Sequence, residues 1–320
     1  MRAPDFWDHG GILAAALAPA SLLWRAGTAI RRLTVRPRAA PVPVICVGNL
    51  VAGGAGKTPV ALSLAERLAP RGAHALARGH GGREHGPLRV DRARHGAAEV
   101  GDEALLLAEL VPTWVARDRR AGACAAANAG ASLIVMDDGF QYPGLIKTLS
   151  LLVFDGASFI GNGRVMPAGP LRETLAAGLA RAQGAIVLGE DKCDIAASIG
   201  GRVPILRAHV EPDAAARRFS GRAVYAVAGI ARPEKFYSTL ETLGARIVGA
   251  RDFPDHHVFT ADEIMAICED AQALGARPVM TAKDHVRLPV EARAMIEQVR
   301  VRVAWKDEAA LGRLLAPILR

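Results

Sequence analysis

The chain has 320 residues, 51% of them hydrophobic and 22% charged; that balance excludes intrinsic disorder, collagen-like repeats and a disulfide-stapled miniprotein, and it accommodates two domains of ~150 residues. Its formal net charge of +8 comes from 40 basic and 32 acidic side chains. The cysteines, Cys46, Cys124, Cys193 and Cys268, are too scattered for a CxxC or zinc-ligand pattern and read as free thiols of a reducing compartment.

The first segment is basic and partly apolar. Residues 1–40 hold Arg2, Arg25, Arg31, Arg32, Arg36 and Arg38 against Asp5 and Asp8. Within them residues 10–24 carry no charge, but that run is shorter than the ~20 residues a spanning helix needs, and it contains Pro19. A secretory signal fits poorly with Asp5 and Asp8 so near the start. Leu13, Leu17 and Trp24 fall near one face, and Arg25, Arg31 and Arg32 follow. This pattern predicts an amphipathic membrane-docking helix lying among anionic headgroups, with packing on the protein's own core as the alternative.

A strand is predicted at 42–47, then a glycine-rich turn, then a helix at 57–68. The turn reads Gly48-Asn49-Leu50-Val51-Ala52-Gly53-Gly54-Ala55-Gly56-Lys57-Thr58. Strand, loop and helix in that order are the context of a phosphate-binding P-loop. Backbone N–H groups of Val51 to Gly56 would face the phosphates, Lys57 would reach the β and γ oxygens, and Thr58 would offer its hydroxyl to Mg²⁺. Val51 stands where the usual pattern has its first Gly, and Ala52 where the P-loop of membrane-associated partitioning ATPases carries a signature Lys.

Further apolar runs at 74–77, 113–116, 133–136, 151–154 and 185–188 alternate with helical stretches at 102–110 and 119–128, which predicts a mostly parallel sheet covered on both faces. The run at 132–141, SLIVMDDGFQ, ends in Asp137-Asp138-Gly139. Carboxylates at the carboxyl end of a strand beside the P-loop strand are placed to hold Mg²⁺; a plain Asp-Gly turn is the alternative. Gly, Pro and charge at 200–222 mark a boundary. Beyond it strands at 223–230, 246–250, 278–281 and 301–305 alternate with helices at 233–243, 261–274 and 308–319. The fold class is therefore α/β: a docking segment at 1–40, a P-loop domain at 41–210 with a mostly parallel sheet, and a smaller α/β domain at 211–320.

The chain resembles the tetraacyldisaccharide 4′-kinases, the lipid A 4′-kinases of Gram-negative bacteria. The resemblance rests on VGNLVAGGAGKTPVA (47–61), ARGHGG (77–82), VGDEALLLA (100–108), MDDGFQ (136–141), GNGRVMPAGPLRE (161–173), VAGIARPEKF (227–236), FPDHH (253–257) and TAKDHVRL (281–288), in that order. It implies an ATP- and Mg²⁺-dependent kinase that phosphorylates the 4′-hydroxyl of an acylated glucosamine disaccharide 1-phosphate. It implies Lys57 and Thr58 as nucleotide contacts, Asp137 and Asp138 at the metal, Asp102 as catalytic base and His256 as its support. A carboxylate paired with an imidazole can relay a proton. Helix capping is the plainer role for Asp102, and a loop turn for His256; which of His256 and His257 faces Asp102 stays open. Arg78, Arg164 and Arg172 are candidate phosphate contacts, with solvated surface charge as the alternative.

Two positions depart from the family pattern: Tyr142 stands where many members have His, and Ala282 where many have Glu. Neither touches the proposed base or the P-loop Lys, so activity is expected. The implied setting is the cytoplasmic face of the bacterial inner membrane, for a peripheral monomer whose partners are its lipid substrate and the membrane surface. A membrane-associated regulatory P-loop ATPase is the rival reading. Nucleic acid is not expected as a partner, because the basic balance comes without a recognition motif or interleaved aromatics.

Overall fold

Eight strands precede the predicted boundary or run into it: β1 (Val44–Gly48), β2 (Ala73–Ala77), β3 (Leu88–Arg89), β4 (Thr113–Val115), β5 (Leu133–Asp137), β6 (Leu149–Asp155), β7 (Gly184–Leu188) and β8 (Ile205–Pro212). In the computed structural model, described over residues 4–319, they join a later strand, β13 (Val301–Trp305), in one nine-stranded sheet of order β13-β8-β7-β6-β1-β5-β2-β4-β3. Arg2, counted in the basic amino-terminal segment, lies outside the described residues, as does Arg320. The central strands read VICVG, LIVMD and LSLLVFD and are buried throughout, as parallel strands covered on both faces must be. Alternate residues serve opposite cores. Ile45, Val47, Val135 and Leu151 pack under the helix Lys57–Leu68 with Val60 and Leu64, while Val44, Cys46, Ile134, Met136 and Leu152 face the other layer.

β1 lies between β5 and β6, parallel to both, with Val47 beside Asp137 and Gly48 beside Leu152. Strand order reverses there, so the P-loop and the Asp137-Asp138 turn leave neighbouring strands at the crevice where such sheets bind ligands.

The second sheet is four-stranded and parallel, in the order β10-β9-β11-β12, with β9 (Ala223–Ala228), β10 (Arg246–Asp252), β11 (Arg277–Thr281) and β12 (Glu297–Val299). The helix Pro233–Thr242 packs Phe236 and Leu240 on one face, and the helix Ala261–Ala273 packs Ile264 and Ile267 on the other.

The boundaries differ from expectation in two places. Residues 205–212, inside the predicted boundary region, form β8 of the large sheet. Residues 301–319, assigned by sequence to the smaller domain, return to the large sheet: β13 runs antiparallel to β8, and Leu311 and Leu315 of the helix Glu308–Leu315 enter its core. β8 has alternating burial and an open edge, and β13 covers it; Trp305 Nε1 donates to Ser63 Oγ at 3.0 Å on the P-loop helix.

The amino-terminal segment forms helices Phe6–His9, Ile12–Ala16 and Ala18–Thr34. Pro19 sits in the first turn of the third, where no N–H bond is lost. These helices lean on the loop after β6: Trp7 Nε1 donates to Pro167 O, Ser21 Oγ to Val165 O and Trp24 Nε1 to Arg172 O. They leave Ile12 (91%), Leu23 (77%) and Leu33 (85%) exposed, with Leu13, Leu22 and Ile30 also largely open, whereas Leu17 is half-buried. No described helix is long and apolar enough to cross a membrane.

Candidate active site

The loop from Gly48 to Gly56 depends on its glycines at identifiable points. Gly53 and Gly56 have φ of +118° and +79°, where a side chain is strained. A Cβ on Gly48 would come within 2.4 Å of Phe140 Cβ, so the P-loop strand and the DDGFQ turn meet more closely than any larger residue permits. The segment 161–173 straps the loop in place. Ala52 N–H donates to Pro170 O at 2.8 Å, Arg172 N–H to Leu50 O at 2.7 Å, and Val51 bridges Leu171.

Lys57 and Thr58 open the helix after the loop. The Lys57 ammonium donates to Asn49 Oδ1 at 3.1 Å and lies 3.7 Å from Asp138. Thr58 Oγ1 donates to Asp137 Oδ2 at 3.1 Å. Asp137 is 4% exposed, and its Oδ1 has no donor among the described residues. Burial first, and then the charge of nearby Glu103, push its carboxyl up to about 7, against the opposing pull of Lys57. Asp138 behaves oppositely: burial would raise it, but the charges of Lys57 and Arg172 hold it below the usual carboxylate range.

Arg172 belongs to this cluster. Its Nη1 donates to Asp138 Oδ1 at 2.9 Å and to Gln141 Oε1 at 3.3 Å, while Gln141 Nε2 reaches the buried Glu173 at 3.2 Å. Arg78 and Arg164 are exposed, and their guanidinium groups form no ion pair or hydrogen bond among the described residues. Thus one of the three candidate arginines is built into the site and two are free at the surface.

Asp102 is the first residue of the helix Asp102–Leu107 and is 2% exposed. Its Oδ1 accepts from Glu103 N–H at 2.9 Å, a helix-start contact, and its Oδ2 faces the second sheet. There His256 Nδ1 lies 3.0 Å away. His257 turns elsewhere: its Nε2 meets Glu263 Oε2 at 2.9 Å and its ring stacks on Phe253. His256 is therefore the histidine that faces Asp102, held by a backbone with φ of +62°. Burial would raise the Asp102 carboxyl, but the His256 hydrogen bond and the charges of Lys283 and Arg287 hold it far below the ordinary range.

Sequence reasoning missed Arg287, Lys283 and Asp255, which complete this cluster, and Asn49, Gln141 and Glu173, which brace the phosphate side. A partial signal existed for two of these: TAKDHVRL sets Lys283 and Arg287 together with Asp284 at the end of β11, without indicating that they meet Asp102. The cluster opens on a cavity of about 330 Å³ between the units, lined by His80, Asp102 and His256 and by apolar Val258, Phe259 and Leu288.

A family model described as tetraacyldisaccharide-1-P 4′-kinase matches residues 13–320. The tetraacyldisaccharide 4′-kinase of Rhodospirillum centenum is 58% identical over 100% of this chain and 97% of its own length. That of Gluconacetobacter diazotrophicus is 51% identical over 98% of this chain and 97% of its own. Among solved structures, LpxK from Aquifex aeolicus in complex with ATP matches with a TM-score of 0.79 at 26% identity, covering 97% of this chain and 100% of that one.

Proposed function

The chain belongs to the tetraacyldisaccharide-1-P 4′-kinase family, and we propose that its transfer of the ATP γ-phosphoryl group to the 4′-hydroxyl of the lipid A precursor is carried by the 51–58 loop and the Asp102–His256 pair. The observation that supports this most is the 3.0 Å contact between Asp102, at a helix start in the unit of the large sheet, and His256, in a turn of the unit of the small one. It sets a proton-accepting pair at the edge of the cavity, and Glu103, the next residue along the chain, is near enough to Asp137 for its charge to be felt there.

The loop amides of 51–56 other than that of Ala52, which is bonded to Pro170 O instead of facing the phosphates, and the Lys57 ammonium hold and orient the β and γ phosphates. Thr58, Asp137 and Asp138 would hold Mg²⁺. The fit is supported by the buried Asp137 Oδ1 that lacks a donor, and two carboxylates with one hydroxyl suit an ion that takes its remaining ligands from phosphate and water. When bound, Mg²⁺ supplies positive charge to the phosphate oxygens as the bridging bond breaks. Arg172, already against Asp138, adds a guanidinium beside them, and Arg78 and Arg164 remain available to the nucleotide or to the acceptor's 1-phosphate. The Asp102–His256 pair takes the hydroxyl proton as the acceptor oxygen attacks.

The open apolar side chains of residues 12–33, with Arg25, Arg31 and Arg36 beside them, suit the headgroup layer of an anionic membrane. We place the enzyme there as a peripheral monomer at the cytoplasmic face of the inner membrane, where lipid acceptor and ATP meet. The test is incubation with γ-labelled ATP and the disaccharide acceptor in detergent micelles. Labelled lipid is expected; a folded, ATP-binding preparation that leaves the lipid unlabelled defeats the reading. Asp102→Ala should keep ATP binding and lose turnover, and retained turnover would remove Asp102 from the assignment.

A further inference from the structure

We propose that Arg287 is a positioning residue for phosphoryl transfer: it fixes the Asp102 carboxylate with Oδ2 aimed at Nδ1 of His256, so that Nε2 of His256 receives the acceptor's hydroxyl proton. This rests on the reading of Asp102 and His256 as the proton-accepting pair.

The Arg287 side chain is 3% exposed and fully engaged. Its Nε donates to Asp102 Oδ2 at 2.9 Å, its Nη2 to the same oxygen, and its Nη1 to Gly229 O and Asp284 Oδ1, both at 2.8 Å. Asp284 is itself buried and pinned by Thr281, whose hydroxyl donates to Asp284 Oδ2 at 2.7 Å. The guanidinium is thus clamped from its own segment and presents one edge across the domain boundary. Buried ion pairs of this kind contribute little net stability compared with apolar packing, which directs attention to what the pair orients.

The two carboxylate oxygens of Asp102 are unequally engaged. Asp102 Oδ2 accepts from His256 and twice from Arg287, and Oδ1 accepts from Glu103 N–H. A proton landing on Oδ2, the oxygen turned toward His256, would have to displace one of these charge-assisted bonds, while Oδ1 is engaged at the start of its own helix. Because the ionised carboxylate only accepts, Nδ1 of His256 carries hydrogen and Nε2 is left with its lone pair. Nε2 lies 3.7 Å from Asp255 Oδ2, on a ring one-third exposed to the cavity. In the step, the acceptor O–H bond breaks and its proton bonds to Nε2, while the hydroxyl oxygen forms a bond to the γ-phosphorus. The bond from that phosphorus to the bridging oxygen breaks, ADP departs, and the imidazolium later returns its proton to water.

The charged and titratable groups facing the pair are Glu103 on the helix of Asp102, His80 after β2, Asp255 beside His256, and Lys283, Asp284 and Arg287 after β11. Replacing Arg287 by a neutral side chain removes a cation from this set and makes protonation of the pair easier. The acid limb of kcat should therefore move to higher pH. For Arg287→Gln in the full chain we expect kcat to fall about 10- to 100-fold with KM for ATP changed less than about 2-fold, and the acid limb to rise by about one pH unit. Arg287→Lys keeps the charge but loses the fork, so its limb should return close to wild type with kcat partly restored. If Arg287→Gln does not fold, Arg287→Met combined with Asp284→Asn removes the stranded carboxylate and should show a smaller shift in the same direction, because the lost cation is the nearer of the two charges.

A folded, ATP-binding Arg287→Gln enzyme with an unmoved acid limb overturns the proposal, as does a loss confined to KM. A Lys variant whose limb moves as far as that of Gln does the same. Failure of the underlying reading looks different: there, His256→Ala would retain wild-type turnover.

Discussion

Burying a carboxylate with one oxygen undonated costs stability in the absence of its ligand, and Asp137 is such a group. Its carboxyl is pushed up to about 7, above the 3.8 of an unburied aspartate. The native state therefore binds more protons than the unfolded chain between those values, and stability falls as pH rises through that window. Asp137→Asn should raise the melting temperature of the metal-free protein above pH 7, with at most about 4 kcal/mol involved. The gain should vanish below about pH 4, and turnover should be lost throughout. Thermal melts across pH check this; a variant less stable than wild type at pH 8 contradicts it. The meeting of Lys57, Thr58 and the two aspartates in one cluster was legible because a P-loop is a local pattern and the aspartates end a neighbouring strand. The choice between His256 and His257 was not, since it depends on a left-handed backbone at 256 and on Glu263 holding the neighbour. Arg287 stayed hidden for a related reason: its partner is Asp102, 185 residues away on a helix of the other unit.

At the level of elements, the strap 161–173 and the tight Gly48 approach set where the phosphate loop sits relative to Asp137 and Asp138. Gly48→Ala should destabilise by about 1–3 kcal/mol, because the Cβ–Cβ clash with Phe140 cannot be relieved by a rotamer change. Gly54→Ala, whose Cβ would meet nothing within 4 Å, should melt close to wild type. Calorimetry on the pair separates the two, and equal melting temperatures would refute the account. The amino-terminal helices have a different dependence. Leu22 and Leu23 are open to solvent, so Leu22→Ser with Leu23→Ser should leave the melting temperature unchanged and reduce co-sedimentation with anionic vesicles several-fold. Binding equal to wild type would take this face away from the membrane. The parallel strands of the large sheet were readable from their continuous apolar runs. β8 was not, because one of its faces is open and dilutes the apolar signal with Arg207, His209 and Glu211.

At the scale of the molecule, the two units meet through charge. Arg287 and His256 reach Asp102, and Arg232 and Lys235 reach the buried Asp155 at the end of β6. The α/β class and the two sheets were legible from alternating patterns, but the return of residues 301–319 to the first sheet was not. Local patterning records what each segment is and carries no address for its partner. That return makes β8 and β13 adjacent antiparallel strands, so residues 213–300 amount to the loop of one outsized hairpin. A chain in which that loop is replaced by a short turn should still fold its nine-stranded sheet and bind ATP, while transferring nothing to lipid; equilibrium ATP binding checks it, and loss of binding would show that the two sheets fold only together. The same stem orders events during synthesis. The small sheet is complete before the large one can be, because the strand that covers β8 leaves the ribosome after every strand of the small sheet. Until then the nucleotide domain keeps a raw edge, while the part carrying His256 and Arg287 has already taken shape.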